Sequence, residues 1–99
     1  MGLDFAIDEL YATGWAALDT AGCESEGGRW IPTVERVMRE FEGHGLTLSV
    51  RHVQLFDCFR AEWSDGAGVP AGSVVGQSER EASLYALAQL RRAATTAGV

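Results

Sequence analysis

The chain has 99 residues, and 46% of them are hydrophobic, which suffices for one core and excludes intrinsic disorder of the whole chain. Its 14 acidic and 8 basic residues give a net charge of -6, which repels phosphate backbones and anionic lipid and disfavours nucleic-acid or membrane partners. No basic leader and no apolar run of about 18 residues is present, which predicts a cytoplasmic protein without a membrane span.

The first predicted element is a helix that begins near Asp4. Apolar residues at helical spacing line one side of it: Leu3, Ile7, Leu10, Tyr11 and Leu18. Gly14 falls within this stripe, so it either permits close packing or ends the helix. We expect the helix to reach about Ala12 and leave residues 14–18 open. The Gly-, Ser- and Glu-rich stretch from Thr20 to Arg29 is predicted to be a loop.

Trp30-Ile31-Pro32-Thr33 is predicted to open a second helix, because proline loses no needed hydrogen bond at a first helical position. The positions that follow at i, i+3, i+4 and i+7 are all apolar: Val34, Val37, Met38 and Phe41. Gly43-His44-Gly45 supplies a left-handed cap that ends this helix.

From Leu46 the hydrophobic period changes from 3.6 to 2, which predicts two antiparallel strands. The inward residues are Leu46, Leu48 and Val50 in one strand and Phe59, Ala61 and Trp63 in the other; Thr47, Ser49, Arg51, Arg60 and Glu62 form a solvated face. The reversal lies between His52 and Asp57. A mobile loop from Ser64 to Gly72 then precedes a short third strand, Ser73 to Gly76.

Ser78 and Glu81 form a capping box, which predicts that a third helix starts at Ser78. Its buried stripe consists of small and apolar residues: Ala82, Ala86, Leu87, Leu90 and Ala93. Such a stripe lets a helix lie close on a sheet.

We therefore predict one α+β domain, residues 1–99. A three-stranded antiparallel meander has two helices packed on one face (α-β-β-β-α, residues 32–95), and an additional N-terminal helix and loop occupy residues 1–31. Helix, three strands and helix in this order resemble the double-stranded RNA-binding domain, and small uncharacterised bacterial and phage helix–meander–helix proteins are equally similar.

The family's motif Gly-x-Ser-Lys-Lys-x-Ala-Lys resembles the segment Gly76 to Ser83, in which the Gly, Ser and Ala positions match. The resemblance implies that the three lysine positions grip phosphate across the RNA groove. Glu79 and Ser83 occupy two of them, and only Arg80 is basic. The motif therefore supports the fold more than the activity.

Few residues suggest catalytic or metal chemistry. His52, Asp57 and Cys58 could form a small cysteine-dependent active site, but a surface thiol beside a turn histidine is the favoured interpretation. The spacings of Cys23, His44, His52 and Cys58 do not fit zinc, and the glycines from Gly66 to Gly72 do not form a phosphate-binding motif. We expect free cysteines, no metal and no cofactor.

The remaining signal is a surplus of apolar residues. We expect the first helix either to lie over the strand reversal or to contact another chain, and the candidate interaction residues are Leu10, Tyr11, Val53, Leu55 and Phe56. The favoured hypothesis is a non-enzymatic module that acts through protein–protein contacts, including self-association. The alternatives are a nucleic-acid-binding module that has lost most of its basic contacts and a small cysteine enzyme.

Overall fold

The computed structural model describes residues 2–97, with side chains up to residue 94. Within that range the chain has the predicted α+β class, with three helices and two antiparallel sheets where one sheet was expected. The helices are α1 (Leu3–Ala12), α2 (Val34–Glu42) and α3 (Glu79–Ala97). One sheet consists of β1 (Cys23–Glu26) and β2 (Arg29–Pro32), and the other of β3 (Thr47–Val53), β4 (Cys58–Ser64) and β5 (Pro70–Gly76).

The larger sheet has β4 in its centre and β3 and β5 at its edges. Leu48 pairs with Trp63, and Val50 pairs with Ala61. Because successive side chains of a strand point to opposite faces, the apolar residues of both strands face the helices, as the alternation predicts. Leu48, Ala61 and Trp63 are buried.

β5 is longer than predicted and begins at Pro70. The carboxylate of Asp65 accepts hydrogen bonds from the backbone N–H groups of Ala67 and Val69 at 2.9 and 3.0 Å. These bonds hold a short turn, and the connection between β4 and β5 consists of residues 65–69. The observed connection is therefore shorter than the predicted loop from Ser64 to Gly72.

The smaller sheet corrects the prediction of a loop from Thr20 to Arg29. Glu24 pairs with Ile31 and Ser25 with Trp30 in an antiparallel hairpin. Gly27 and Gly28 connect the strands with φ angles of +59° and +81°, which only glycine adopts at little cost and which suit a tight two-residue turn. Pro32 belongs to β2, so α2 begins later than predicted. Its N-cap is Thr33, whose Oγ1 accepts from the Arg36 N–H at 3.3 Å.

α3 begins as its capping box predicts. The Glu81 N–H donates to Ser78 Oγ at 3.1 Å, while the Glu81 carboxylate accepts from the Gln77 N–H at 2.8 Å rather than from Ser78. Ala82 and Ala86 are fully buried, which lets α3 lie close to the sheet as expected. Ala93, at the end of the predicted stripe, is exposed.

α1 ends at Ala12, as predicted, and Gly14 follows with a φ of +84°. It does not lie over the strand reversal, because its apolar side packs against α3. Ala6, Ile7 and Leu10 are buried in the same core as Leu84 and Leu87 of α3. Within residues 2–97, no helix is long and apolar enough to cross a membrane.

The junction of β5 and α3 leaves no room for a side chain at Gly76. A Cβ atom there would lie 2.7 Å from the backbone nitrogen of Ala82, which the first turn of α3 holds in place. We expect Gly76→Ala to lower the free energy of unfolding by about 2 kcal/mol, because overpacking at an immobile site is destabilising. Urea denaturation measures this value. Gly66→Ala is the matched control, since nothing lies within 4 Å of that position; equal losses in both variants would contradict the prediction.

Candidate functional site

A groove of about 560 Å³ lies between α1, α3 and β5. Its lining consists of Phe5 and Glu9 from α1, Val74, Val75 and Gly76 from β5, the adjoining Gln77, and Glu81, Tyr85, Gln89 and Arg92 from α3. A pocket of this size with mixed apolar and polar walls is the usual form of a binding site.

The floor of the groove is one stripe of α3. Glu81, Tyr85, Gln89 and Arg92 are spaced i, i+4, i+8 and i+11, and at about 100° per residue they share one side of the helix. The small residues that face the sheet lie about 90° from this stripe around the helix axis. Leu84 and Ala88 lie about 90° from it in the opposite direction. α3 packs against the larger sheet, α1 and α2, and the stripe that lies between β5 and α1 forms the floor of the groove. At 1.5 Å per residue this floor is about 16 Å long.

β5 forms one wall of the groove and is an edge strand. In an antiparallel edge strand, alternate residues direct their backbone N–H and C=O groups away from the sheet. β5 carries no charged side chain, whereas the other edge strand, β3, carries Arg51. Because charged side chains are a common protection of edges, β5 is the less protected edge.

α1 forms the opposite wall through Phe5 and Glu9. The Phe5 ring lies 6.3 Å from the Tyr85 ring, centroid to centroid, with an angle of 57° between their planes. Phe5 is 44% exposed, which is high for a large aromatic side chain beside the core. The ring pair gives the groove an apolar, accessible section.

The electrostatics of the groove are set by two carboxylates and one guanidinium. Glu9 forms an ion pair with Arg92. Glu81 is only 4% exposed, and among the described side chains it has no cationic partner. Burial raises the pKa of the Tyr85 phenol, and the negative charges of Glu81 and Glu9 raise it further. Tyr85 therefore keeps its proton at neutral pH and can donate a hydrogen bond into the groove.

Sequence reasoning missed this site. Phe5, Val75 and Tyr85 come from three distant segments, and no short motif joins them. The available signal was the stripe of larger polar and aromatic residues on α3, which differs from the small residues one quarter-turn away.

The predicted interaction residues do not form one surface. Leu55 and Phe56 lie on a one-turn 3-10 helix, Gln54–Phe56, at the β3–β4 tip and are 84% and 74% exposed. Leu10 is buried in the core, and the half-buried Tyr11 donates its hydroxyl to the Trp30 carbonyl at 2.6 Å. Within this chain Leu10 belongs to the core that α1 shares with α3.

Val53 is half-buried at the end of β3. It pairs with Cys58, while His52 pairs with Phe59. Adjacent positions of a strand face opposite sides, so His52 and the Cys58 thiol are on opposite faces of the sheet. His52 instead contacts Asp57, with 3.1 Å between Nε2 and Oδ1. The structure does not bring the candidate thiol and histidine together.

The two cysteines are free thiols, as expected. Arg36 places Nη1 3.6 Å from the Cys23 Sγ and also donates to the carbonyls of Asp19 and Ala21. Burial nevertheless raises the pKa of the Cys23 thiol, which disfavours the reactive thiolate. Within residues 2–97, no three His, Cys, Asp or Glu side chains are grouped to hold a metal ion.

In the segment from Gly76 to Ser83, both Arg80 and Ser83 have partners within the chain. Arg80 forms an ion pair with Glu24 of β1, with 2.8 Å between Nη1 and Oε1, and donates to the Ile31 carbonyl at 3.4 Å. Ser83 is fully buried, and its hydroxyl donates to the Arg80 carbonyl. The hairpin that was missed in the sequence therefore engages the one basic residue of the motif.

Comparisons with known proteins give no further guidance, since no family model, curated protein or solved structure significantly matches the chain. The candidate function therefore depends on the geometry of the described residues.

The proximity of Tyr85 to Glu81 can be measured by titration. Ring-carbon NMR signals report each tyrosine separately, and we expect Glu81→Gln to lower the pKa of Tyr85 because one of the negative charges that raise it is removed. The pKa should stay above the ordinary value of about 10, since burial is the larger cause. Glu79→Gln is the control on the same helix. An unchanged Tyr85 pKa in Glu81→Gln would contradict this description of the groove.

The raised pKa of Tyr85 also determines how this group changes the free energy of unfolding with pH. The folded chain holds the Tyr85 proton more tightly than the unfolded chain does. The stabilisation from Tyr85 is therefore complete below a pH of about 10, and it is lost as the pH rises through the folded-state pKa.

Proposed function

We propose that this chain is a non-enzymatic protein-binding module that receives an extended segment of a partner protein along β5. The observation that carries the proposal is the combination of an uncharged edge strand with an open groove directly beside it. Strand addition obtains affinity from backbone hydrogen bonds and specificity from pockets for alternate side chains. The groove offers both, because β5 supplies backbone groups and α1 and α3 supply the pocket.

The dimensions of the groove suit one extended chain. A strand advances about 3.3 Å per residue, so a floor of about 16 Å corresponds to about five residues. α1 closes the far side through Phe5 and Glu9, which leaves space for a single segment and obstructs a folded domain. Binding would also cover Val75, which is 58% exposed on β5.

Selection from a display library of random heptapeptides tests the proposal. Amide exchange by NMR then locates the selected peptides. We expect the β5 amides that face the groove to exchange rapidly in the free protein and at least tenfold more slowly in the complex, because hydrogen bonds to an added strand protect them. Protection at β3 or at the β3–β4 tip instead would show that the proposed site is wrong.

A matched pair of variants provides the control. Gln89→Trp fills the groove from its floor, and Gln54→Trp adds the same bulk at an exposed position of the β3–β4 tip. Only Gln89→Trp should weaken peptide binding, and thermal unfolding should show that both variants are folded.

The β3–β4 tip supports a second candidate, self-association. Residues 53–56 carry no charge, and Leu55 and Phe56 are largely exposed. In a chain with a net charge of -6, an uncharged apolar tip is where two copies meet with least repulsion. The small area of two side chains suits a weak dimer rather than an obligate one.

Sedimentation equilibrium tests this second candidate. We expect the unmodified chain to dimerise weakly at high concentration and the double variant Leu55→Asp, Phe56→Asp to remain monomeric, because carboxylates at the contact repel each other and require desolvation. Leu18→Asp is the control, since Leu18 is 97% exposed in a different region. A monomeric unmodified chain at every concentration would exclude self-association through the tip.

A relationship to the double-stranded RNA-binding domain is also a proposal. The order from α2 through β3, β4 and β5 to α3 supports an α-β-β-β-α arrangement of that kind. The ion pair between Arg80 and Glu24, together with Glu79 at a phosphate-binding position, argues against RNA as the ligand. We therefore favour a fold-level relationship combined with a protein-binding function.

A further inference from the structure

Resting on the proposed function, we infer that the partner segment carries an aspartate or glutamate beside Ser73, on the side turned away from the helices, and that Arg60 binds its carboxylate. Side chains of a strand alternate between the two faces of a sheet. Those of an added strand would therefore enter the groove on one side of β5 and extend the outer face of the larger sheet on the other. The inference names the chemistry of this second set.

The first observation concerns the outer face, which is the side of the larger sheet turned away from the helices. Leu48 and Ala61 are buried on the helix side, so the residues next to them along each strand point to the outer face. Arg51 pairs with Arg60, and Arg60 pairs in turn with Val75. These three side chains form a row across the outer face. A strand added to β5 would continue this row.

The second observation is that two arginines of the outer face share one carboxylate. Arg51 Nε donates to Glu62 Oε1 at 3.2 Å. The Nε atom of Arg60 lies 3.5 Å from Glu62 Oε2 and is buried, but it has no hydrogen-bond partner among the described residues. Like charges directly opposite each other on neighbouring strands are unfavourable. Arg51, Arg60 and Glu62 together leave one excess positive charge, which a second carboxylate would balance.

The third observation is the direction of the Arg60 side chain. Its Nη2 donates to the Ser73 hydroxyl at 3.3 Å, so the guanidinium extends from β4 toward β5 and the open edge. Neighbouring strands lie about 4.8 Å apart, so a carboxylate on the residue beside Ser73 would need to cross less than one strand spacing. Arg60 Nη1 makes no hydrogen bond to a described residue and is accessible to solvent. The guanidinium therefore has a free donor for a carboxylate, which it can bind through two nitrogens.

The two faces of the added segment would meet different charges. The groove contains Glu9 and Glu81 and one guanidinium, that of Arg92, which is paired with Glu9. The outer face beside β5 presents Arg60. An acidic side chain therefore suits the outer side, whereas a basic one there would be repelled by Arg60. The expected partner segment has an acidic residue flanked on both sides by residues that face the groove.

The heptapeptides selected on the protein provide the first test. We expect aspartate or glutamate to be enriched at one position among peptides that protect the β5 amides. A net charge of -6 by itself attracts basic peptides, so this enrichment is the opposite of what net charge would produce. Peptides that protect β5 without it would overturn the acidic residue while leaving the proposed function intact. Failure to select any peptide that protects β5 would overturn both.

A double-mutant cycle provides the second test. The probe is the selected peptide, compared with an analogue in which the acidic residue is replaced by its amide, and affinities are measured by fluorescence polarisation. We expect the analogue to bind about two- to fivefold more weakly to the unmodified protein, the range for an ion pair at a partly exposed site. Against Arg60→Gln the two peptides should bind almost equally. Arg39→Gln removes the same charge at an exposed position of α2 and should discriminate as the unmodified protein does.

Glu62→Gln gives an independent measurement of opposite sign. Because it removes the carboxylate that the two arginines share, it should increase the preference for the acidic peptide over its amide analogue. A purely structural role of Arg60 would not produce this increase. Thermal unfolding checks that each variant is folded, and Glu62→Gln decides the matter if Arg60→Gln is not. A preference that does not increase in Glu62→Gln, or that persists in folded Arg60→Gln, would overturn the inference.

Discussion

The close contact between Gly76 and the start of α3 is the constraint on which the rest of the structure depends. A glycine at this position lets the backbone of β5 approach Ala82, and Ser78 then caps the helix within two residues. The turn sends α3 back across the sheet, where fully buried Ala82 and Ala86 allow a short distance between the layers. The same turn directs the Glu81 carboxylate to Gln77 and into the groove. The candidate site is therefore a direct result of how the strand is joined to the helix.

Local patterns were sufficient to predict much of this arrangement. The apolar spacing from Val34 to Phe41, the alternation in β3 and β4, and the cap at Ser78 each belong to one element, so each is visible in a short window of sequence. The β1–β2 hairpin was missed because its strands are short, polar and exposed, apart from Ile31 and Pro32. Its place in the fold depends on a glycine turn and on distant contacts: Ile31 is buried in the core, and Glu24 forms an ion pair with Arg80.

The groove could not be predicted because it requires the position of α1. The sequence places apolar residues along α1 but does not say what they cover. The two expected alternatives were the β3–β4 tip and another chain, and neither of them was α3, against which α1 packs. Leu84 and Ala88, one helical turn apart and opposite the sheet-facing alanines, provide the complementary surface on α3. Once α1 lies there, Phe5 and Glu9 face β5 across the remaining stripe of α3. A second apolar side on α3 was the sequence feature that could have indicated this.

The position of α1 also explains how an unprotected edge strand is compatible with a folded, acidic protein. An uncharged strand of this length invites pairing with any other edge, including that of another copy. α1 stands on the far side of the groove and obstructs a folded sheet, while Pro70 removes one backbone donor at the start of β5. A flexible single segment avoids this obstruction because it needs only the width of one strand. The geometry beside β5 therefore suits a single extended segment better than the edge of a folded sheet.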